Sequence, residues 1–388
     1  MIVRHEAWGA WVKLESTPAI VALDHDGVAR LGLARPSLVP SRRRPLEVHV
    51  AVTTRCGAEC RGCYTGATPD GRHVDRTDLL ATLRAIADGG AFAVALGGGE
   101  PTLREDLDVV ATEAKRLGLT AVVTTSGHGL TAERIERLRA FDQVNVSYDG
   151  DREAYAEVRG WDGADTAERA IARMLAAGVR VGINVVLTKR TFDRLGETLA
   201  RARALGVVEA QLLRFKPGGR TSALDYQAQK LTRGQVAALA DTIAALAAEH
   251  APALRLRIDC SMVPLLAGDP RVTTERLEAL GVLGCVAGDE LAAVTAGGNV
   301  APCSFLPPTA QTADAIRHGI DDDAMDEHRT FERAPPEPCA SCALRPVCRG
   351  GCKAVSLALL GRVAPDPDCP RVSALRASSP PSPAPEPG

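Results

Sequence analysis

No stretch of this 388-residue chain approaches the about 18 uninterrupted apolar residues that a membrane helix needs. The alanine-rich segment 236–248 comes nearest and is broken by Asp241. The opening residues, Met1 to Glu6, contain no apolar core of a secretory signal. Charge of one sign is not in excess: the formal net charge is −2, which gives no electrostatic reason to expect nucleic acid or an anionic membrane as a partner. No internal repeat stands out beyond alternating strand and helix patterns. Cysteine is the residue whose absence is most informative. None occurs from 64 to 259, although the chain has 11, with three at 56–63 and the rest at 260–369. A disulfide framework is not expected in a chain of this length without a secretory signal. The clustering points to metal ligation in a reducing cytoplasm instead.

The remaining composition, 45% apolar and 24% charged, is that of a soluble globular protein able to bury a sizeable core. Residues 1–45 read as a short β-rich lead-in, with Trp8–Leu14 and Ala19–Leu23 pairing across the Ser16-Thr17-Pro18 turn to cover one edge of the α/β region beyond it. From 46 to 250 apolar runs alternate with helical patterns. Strands are expected at 47–53, 91–96, 119–124, 143–148, 180–187 and 208–214. Helix punctuation supports this: Thr77 and Asp78 open a helix closed by Gly89-Gly90, Asp165 with Glu168 opens one ended by Gly178, and Thr232 with Gln235 forms a capping box on helix 233–249. Six such units are too few for a complete eight-stranded barrel. The fold expected is α/β, an open six-stranded (β/α)6 partial TIM barrel, followed at 251–375 by a small cysteine-rich cluster-binding domain. The Ser/Pro-rich tail, 376–388, reads as disordered.

Chemistry-bearing segments fall at the C-terminal ends of the expected strands, where ligands collect in parallel α/β folds. Cys56, Cys60 and Cys63 follow the first strand, Gly97-Gly98-Gly99-Glu100-Pro101 the second, Thr125-Ser126-Gly127 the third and Ser147-Tyr148-Asp149 the fourth. Three thiolates at this spacing can hold one face of a metal cluster and leave a further metal position without a protein ligand. Glycines at 97–99 let the backbone approach a ligand closely.

A CxxxCxxC segment followed by GGEP on such a chain resembles the radical S-adenosylmethionine enzymes. The resemblance implies a [4Fe–4S] cluster on Cys56, Cys60 and Cys63. Its free iron would chelate S-adenosyl-L-methionine, which one electron cleaves to give a 5′-deoxyadenosyl radical. It also implies contacts to the methionine amino group from Gly98, Gly99 and Glu100, to a ribose hydroxyl from Ser147 and to the methionine carboxylate from Arg159. Ser126 stands where many members carry asparagine. Gly62 departs from the pattern, because many members have an aromatic residue just before the third cysteine; here Tyr64 follows Cys63 instead.

The C-terminal cysteines have an ordered spacing: Cys285, twelve residues, Gly298, four residues, Cys303, then Cys339, Cys342, Cys348, Cys352 and Cys369. This resembles the SPASM extension of peptide-modifying radical enzymes, and the two resemblances together cover roughly 50 to 370. They imply two auxiliary [4Fe–4S] clusters, three clusters in all. One would use Cys285, Cys303 and Cys352, and the other Cys339, Cys342, Cys348 and Cys369. Cys260 is left as either the fourth ligand of the first or a buried structural thiol. A zinc ribbon over 339–352 is the competing arrangement, and it would leave Cys285, Cys303 and Cys369 to separate explanations.

The implied activity is that of an oxidoreductase, a maturase of ribosomally made peptides similar to the mycofactocin and pyrroloquinoline quinone types. It would abstract a hydrogen atom from a precursor peptide and leave a crosslink, a decarboxylation or a dehydrogenation. Its partners would be that peptide, a separate leader-binding protein, and an electron donor such as flavodoxin or ferredoxin. A sulfatase-maturase type, a tetrapyrrole side-chain modifier and a non-catalytic iron–sulfur scaffold are the alternatives. Neither Asp259 nor Asp289 is marked out by the sequence as a general base.

Overall fold

A computed structural model describes residues 1–6, 8–14, 20–33, 44–320 and 323–378. Six strands run parallel in sequence order: β4 (Glu47–Thr53), β5 (Ala93–Gly98), β6 (Thr120–Thr125), β7 (Gln143–Ser147), β8 (Val181–Leu187) and β9 (Glu209–Arg214). Both edges are then extended. β10 (Arg255–Ile258) joins β9 in parallel, and β11 (Leu291–Val294) joins β4 in parallel and carries the short antiparallel β12 (Val300–Ala301). The expected six-stranded barrel is therefore the middle of a nine-stranded sheet.

Strand patterning follows from what each face meets. Val48, Val50, Val52, Val94, Leu96, Ala121, Val123, Val144 and Val146 are buried in one continuous core with the outer helices. The alternate residues of β4 and β7, Glu47, His49, Gln143 and Asn145, are only half-buried and polar. A parallel sheet covered on both faces reads as a near-continuous apolar run. Alternation here marks an inner face lining an open lumen.

Helix termini hold the loops in place. The helix Arg76–Asp88 is capped by Asp75, whose carboxylate accepts from the Thr77 amide at 2.7 Å, so it starts just before the expected pair. The Thr232–Gln235 capping box is formed in both directions on Arg233–His250. At the C-terminus the helix Pro370–Ser378 carries order three residues past the expected start of the tail; the remainder of the tail lies outside the described residues.

In the lead-in, β2 (Gly9–Lys13) pairs antiparallel with β3 (Ile20–Asp24) as the pattern suggests, and the turn between them lies outside the described residues. A further strand, β1 (Ile2–Glu6), pairs with β2. The lead-in sits at the N-terminal face of the barrel and not at an edge. Lys13 Nζ donates to Phe92 O (3.1 Å) and Gly118 O (2.9 Å), and Arg4 donates to Pro45 O and Gly90 O. These acceptors precede the strands, so the lead-in is remote from the strand ends that carry the cysteines. Among the described residues no helix is long and apolar enough to cross a membrane.

Candidate functional site

The loop leaving β4 carries Cys56, Cys60 and Cys63, all free thiols and all half-buried. It is held at both ends of its course. The Cys56 amide donates to Thr68 O at 2.8 Å, and Arg220, beyond β9, donates to Cys60 O (2.9 Å) and Ala67 O (2.8 Å). Burial raises the Cys63 thiol, but the Thr65 hydroxyl, the Ala67 and Thr65 amides and Arg220 outweigh it and bring it below the ordinary thiol range. Burial, Glu100, Cys60 and Cys63 together push Cys56 up, which places these groups within each other's field. Gly62 has a steric reason: an ideal Cβ there would lie 2.9 Å from Val158 O, so no aromatic side chain fits that position. Tyr64 instead stacks on Phe305 of the C-terminal domain (ring centroids 4.6 Å apart, interplanar angle 22°).

In the glycine segment the three residues differ. Gly98 has φ +108°, and an ideal Cβ would lie 2.3 Å from Thr53 O; at Gly99 it would lie 2.2 Å from Arg55 O. Among the described residues Gly97 has only the Tyr64 hydroxyl nearby, at 3.8 Å. The Gly99 and Glu100 amides donate to Thr53 O and Arg55 O, both at 2.8 Å. The close approach is therefore first of all between this turn and the start of the cysteine loop. Glu100 is 3% exposed. Its carboxylate accepts from the Thr102 hydroxyl (2.7 Å), the Thr125 hydroxyl (2.8 Å), and the Ser126 amide (2.9 Å) and hydroxyl (2.7 Å). Ser126 thus acts on Glu100, and the pair ties the ends of β5 and β6 together.

Ser147 ends β7, buried, and its hydroxyl has no partner among the described residues. Arg159 ends the helix Arg152–Arg159 and donates from Nε to Asp149 Oδ2 at 2.6 Å, while Asp149 Oδ1 accepts from the Val186 amide at 2.8 Å. Burial works against the Arg159 charge; Asp149, Tyr155 and Cys60 outweigh it and hold the guanidinium protonated above its ordinary range. Among the described residues only Nε is taken, which leaves the terminal nitrogens for a ligand. Asp149 was not singled out from sequence as the group that orients Arg159.

The eight C-terminal thiols fall into two sets. Burial pushes Cys260 well up, with Asp259, Cys285 and Cys352 adding. It pushes Cys303 up to about 12, with Cys285 and Cys352 adding, and Cys352 up to about 11 against the pull of Lys216 and Arg214. Cys260 therefore shares its surroundings with Cys285, Cys303 and Cys352. Register explains this: β10 pairs Ile258 with Leu212, which puts Cys260 level with the end of β9. In the second set burial pushes Cys339 up to about 11 and raises Cys348, with Cys369 adding to both. These thiols and Cys342 line one small cavity with Arg345 and Arg371. Among the described residues no group of three or more His, Cys, Asp or Glu is placed to hold a single metal ion.

Several residues around these thiols gave no sequence signal. Trp161 donates from Nε1 to Cys60 Sγ at 3.4 Å. Lys216 pairs with Asp259 at 2.7 Å and lies 4.5 Å over the Phe305 ring. Burial opposes the Lys216 charge, but Asp259, Cys352 and Cys260 raise its pKa above the ordinary lysine range. Arg214, from the end of β9, pairs with Asp366 (2.7 Å) and Asp368 (2.8 Å). His49 on β4 lies 3.0 Å from the Ser304 hydroxyl and 3.2 Å from Glu47 in the lumen. At Gly350 and Gly351 the missing side chains make room for protein: ideal Cβ atoms there would lie 2.2 Å from the Phe331 ring and 2.4 Å from Asp366 Cβ.

Residues 50–202 match the radical SAM superfamily. The chain is 29% identical to the AdoMet-dependent heme synthase of Methanosarcina barkeri, over 78% of this chain and 88% of that protein. It is 27% identical to the PqqA peptide cyclase of Methylocella silvestris, over 84% and 87%. Among solved structures it superimposes on Streptococcus suis SuiB bound to precursor peptide SuiA with a TM-score of 0.75, at 18% identity, covering 95% of this chain and 98% of that one. At that identity the likeness bears on the fold.

Proposed function

We propose that this chain is a radical SAM enzyme, a maturase of ribosomally made peptides that acts as an oxidoreductase on a precursor peptide. The observation that carries the reading is the sorting of eleven free cysteines into a group of three on the β4 loop and two groups of four beyond the barrel. A named peptide cyclase among the relatives supports a peptide as the substrate.

Cys56, Cys60 and Cys63 would hold the [4Fe–4S] cluster that binds S-adenosylmethionine. Cys260, Cys285, Cys303 and Cys352 would hold one auxiliary cluster, and Cys339, Cys342, Cys348 and Cys369 the other. The donor chemistry fits: the thiols are free, two of the three barrel sulfurs have a hydroxyl or N–H within bonding distance, and cluster thiolates each bind a different iron, so they need not converge on one point. Bound there, the cluster and S-adenosylmethionine supply hydrogen-atom abstraction from an unactivated C–H bond.

The protein's part is to orient and to exclude water. Arg159, fixed through Nε by Asp149, presents its terminal nitrogens to a carboxylate. With the Gly99 and Glu100 amides engaged, the 97–99 turn offers carbonyl oxygens, which suit an amino group. Glu100 and Ser126 position that turn, and Ser147 offers a hydroxyl to a ribose. A separate leader-binding protein, an electron donor such as flavodoxin or ferredoxin, and a reducing cytoplasm complete the proposal.

Iron and sulfide content of anaerobically reconstituted protein tests the cluster assignment. About twelve irons per chain are expected, falling to about eight when Cys56, Cys60 and Cys63 are all alanine. Cys260→Ala is expected to make iron loss from the first auxiliary set faster on chelator challenge, leaving the barrel cluster intact. About four irons with tightly bound zinc would remove the reading. The substrate is tested by mass spectrometry of a candidate short precursor peptide, incubated with S-adenosylmethionine and reductant, with a porphyrin as control. Turnover of the porphyrin alone would transfer the reading to tetrapyrrole chemistry.

A further inference from the structure

We infer that Trp161 is a positioning residue that sets the reduction potential of the barrel cluster through its N–H bond to Cys60. The inference rests on the assignment of Cys56, Cys60 and Cys63 to that cluster. Indole Nε1–H is a donor with no acceptor capacity, and when enclosed it usually takes a partner. Here the partner is a sulfur, Cys60 Sγ, at 3.4 Å and 101 residues away in sequence.

The surroundings fix the ring in that pose. Trp161 meets Tyr155 edge to face (centroids 5.5 Å apart, 76°) and His128 likewise (5.7 Å, 75°). Gly163 leaves the necessary gap, since an ideal Cβ there would lie 2.5 Å from ring atoms of both Trp161 and Tyr155. Two residues earlier, Arg159 O accepts from the Arg61 amide at 2.9 Å, and Gly160, with φ +83°, lies against Arg61. The segment 159–161 is therefore joined to 60–61 by two hydrogen bonds, one from backbone and one from the indole. Of the other barrel thiols, Cys63 has the Thr65 hydroxyl at 3.3 Å, on its own loop. Cys60 is the thiol whose donor comes from a separate element.

A cluster thiolate carries part of the cluster's negative charge, and that charge grows when the cluster takes up an electron. An N–H aimed at the sulfur stabilises the reduced form more than the oxidised one and so raises the potential. Removing the donor while keeping an aromatic ring in the gap should make reduction harder without emptying the site.

The test is an EPR-monitored redox titration of the reconstituted full chain, wild type against Trp161→Phe, with iron counted in both. The expected result is a more negative midpoint for the signal that disappears in the Cys56, Cys60, Cys63 triple alanine variant, with auxiliary midpoints and iron content unchanged. Resonance Raman adds a second readout, a change in the iron–Sγ stretches of that cluster on moving to Trp161→Phe. An unchanged midpoint in Trp161→Phe overturns the inference. Loss of the cluster from that variant also overturns it, because the tryptophan would then be holding the loop and not tuning it. If the wild type has no signal that depends on the three barrel cysteines, the cluster assignment itself has failed, and the two failures are distinguishable.

Discussion

Asp366→Ala is expected to lower the thermal midpoint of the reconstituted protein more than any surface charge removal, and to release iron from the auxiliary region. Asp366 is buried and accepts from Arg214 through both oxygens, from the Cys352 amide at 2.9 Å and from the Asp368 amide at 3.0 Å. It lies between the two auxiliary thiol sets, adding to the pKa of Cys352 on one side and of Cys339, Cys348 and Cys369 on the other. Removing one partner of a buried pair leaves the other charged and unpaired, at a cost on the order of 3–5 kcal/mol. Asp368, still 2.8 Å from Arg214, should offset part of that. Replacing both partners by apolar residues is often far less costly. Arg214→Met in the Asp366→Ala background should therefore recover part of the midpoint, although the Tyr226 and Ser261 partners of Arg214 are lost with it. Because bound clusters break two-state behaviour, the comparison is of apparent midpoints at one scan rate. A midpoint equal to wild type for Asp366→Ala would show that this pair does not hold the domains together.

The same pair marks the boundary of what sequence reading could reach. Strand ends carrying Cys56–Cys63, Gly97–Pro101 and Ser147 were legible because a parallel α/β pattern with turn residues fixes where each loop emerges. The two C-terminal thiol sets were legible in part through their spacing. Cys260 was not, since its neighbours are set by β10 adding in parallel to β9, and a four-residue strand gives little warning of where it docks. Arg214 with Asp366 and Trp161 with Cys60 are separated by 152 and 101 residues. Neither pair has a local pattern: an arginine ending a strand and a tryptophan after a helix-ending glycine both read as ordinary. The glycines were legible as close approaches but not as to what approaches. At Gly98 and Gly99 the visitor is another part of the chain. A ligand and a backbone carbonyl make the same demand on a missing Cβ.

That distinction gives the second large expected effect. Gly98→Ala should disrupt the site and Gly97→Ala should not, although the two residues are adjacent in the same motif. At Gly98 the backbone has φ +108°, where an L-residue is strained, and the new methyl would lie 2.3 Å from Thr53 O. Strain in such a conformation costs roughly 1–3 kcal/mol. The overlap adds to it, because its partner is a backbone oxygen that cannot rotate away. The end of β5 must then separate from β4, taking with it the Gly99 and Glu100 amide bonds to Thr53 O and Arg55 O. Thr65, whose hydroxyl donates to Gly98 O at 3.2 Å and lies 3.3 Å from Cys63 Sγ, would lose that anchor too. Iron content is therefore expected to fall by about four per chain, the barrel cluster alone, with a lowered apparent midpoint. At Gly97 the added methyl meets nothing closer than the Tyr64 hydroxyl at 3.8 Å, so iron content and midpoint should stay at wild type. Gly178→Ala serves as a control for strain alone: φ is +77° there and among the described residues no atom lies within 4 Å of the new methyl, so a loss of about 1 kcal/mol without iron loss is expected. If Gly98→Ala retained its iron as Gly97→Ala does, the turn would not be braced against the cysteine loop in the way these contacts require.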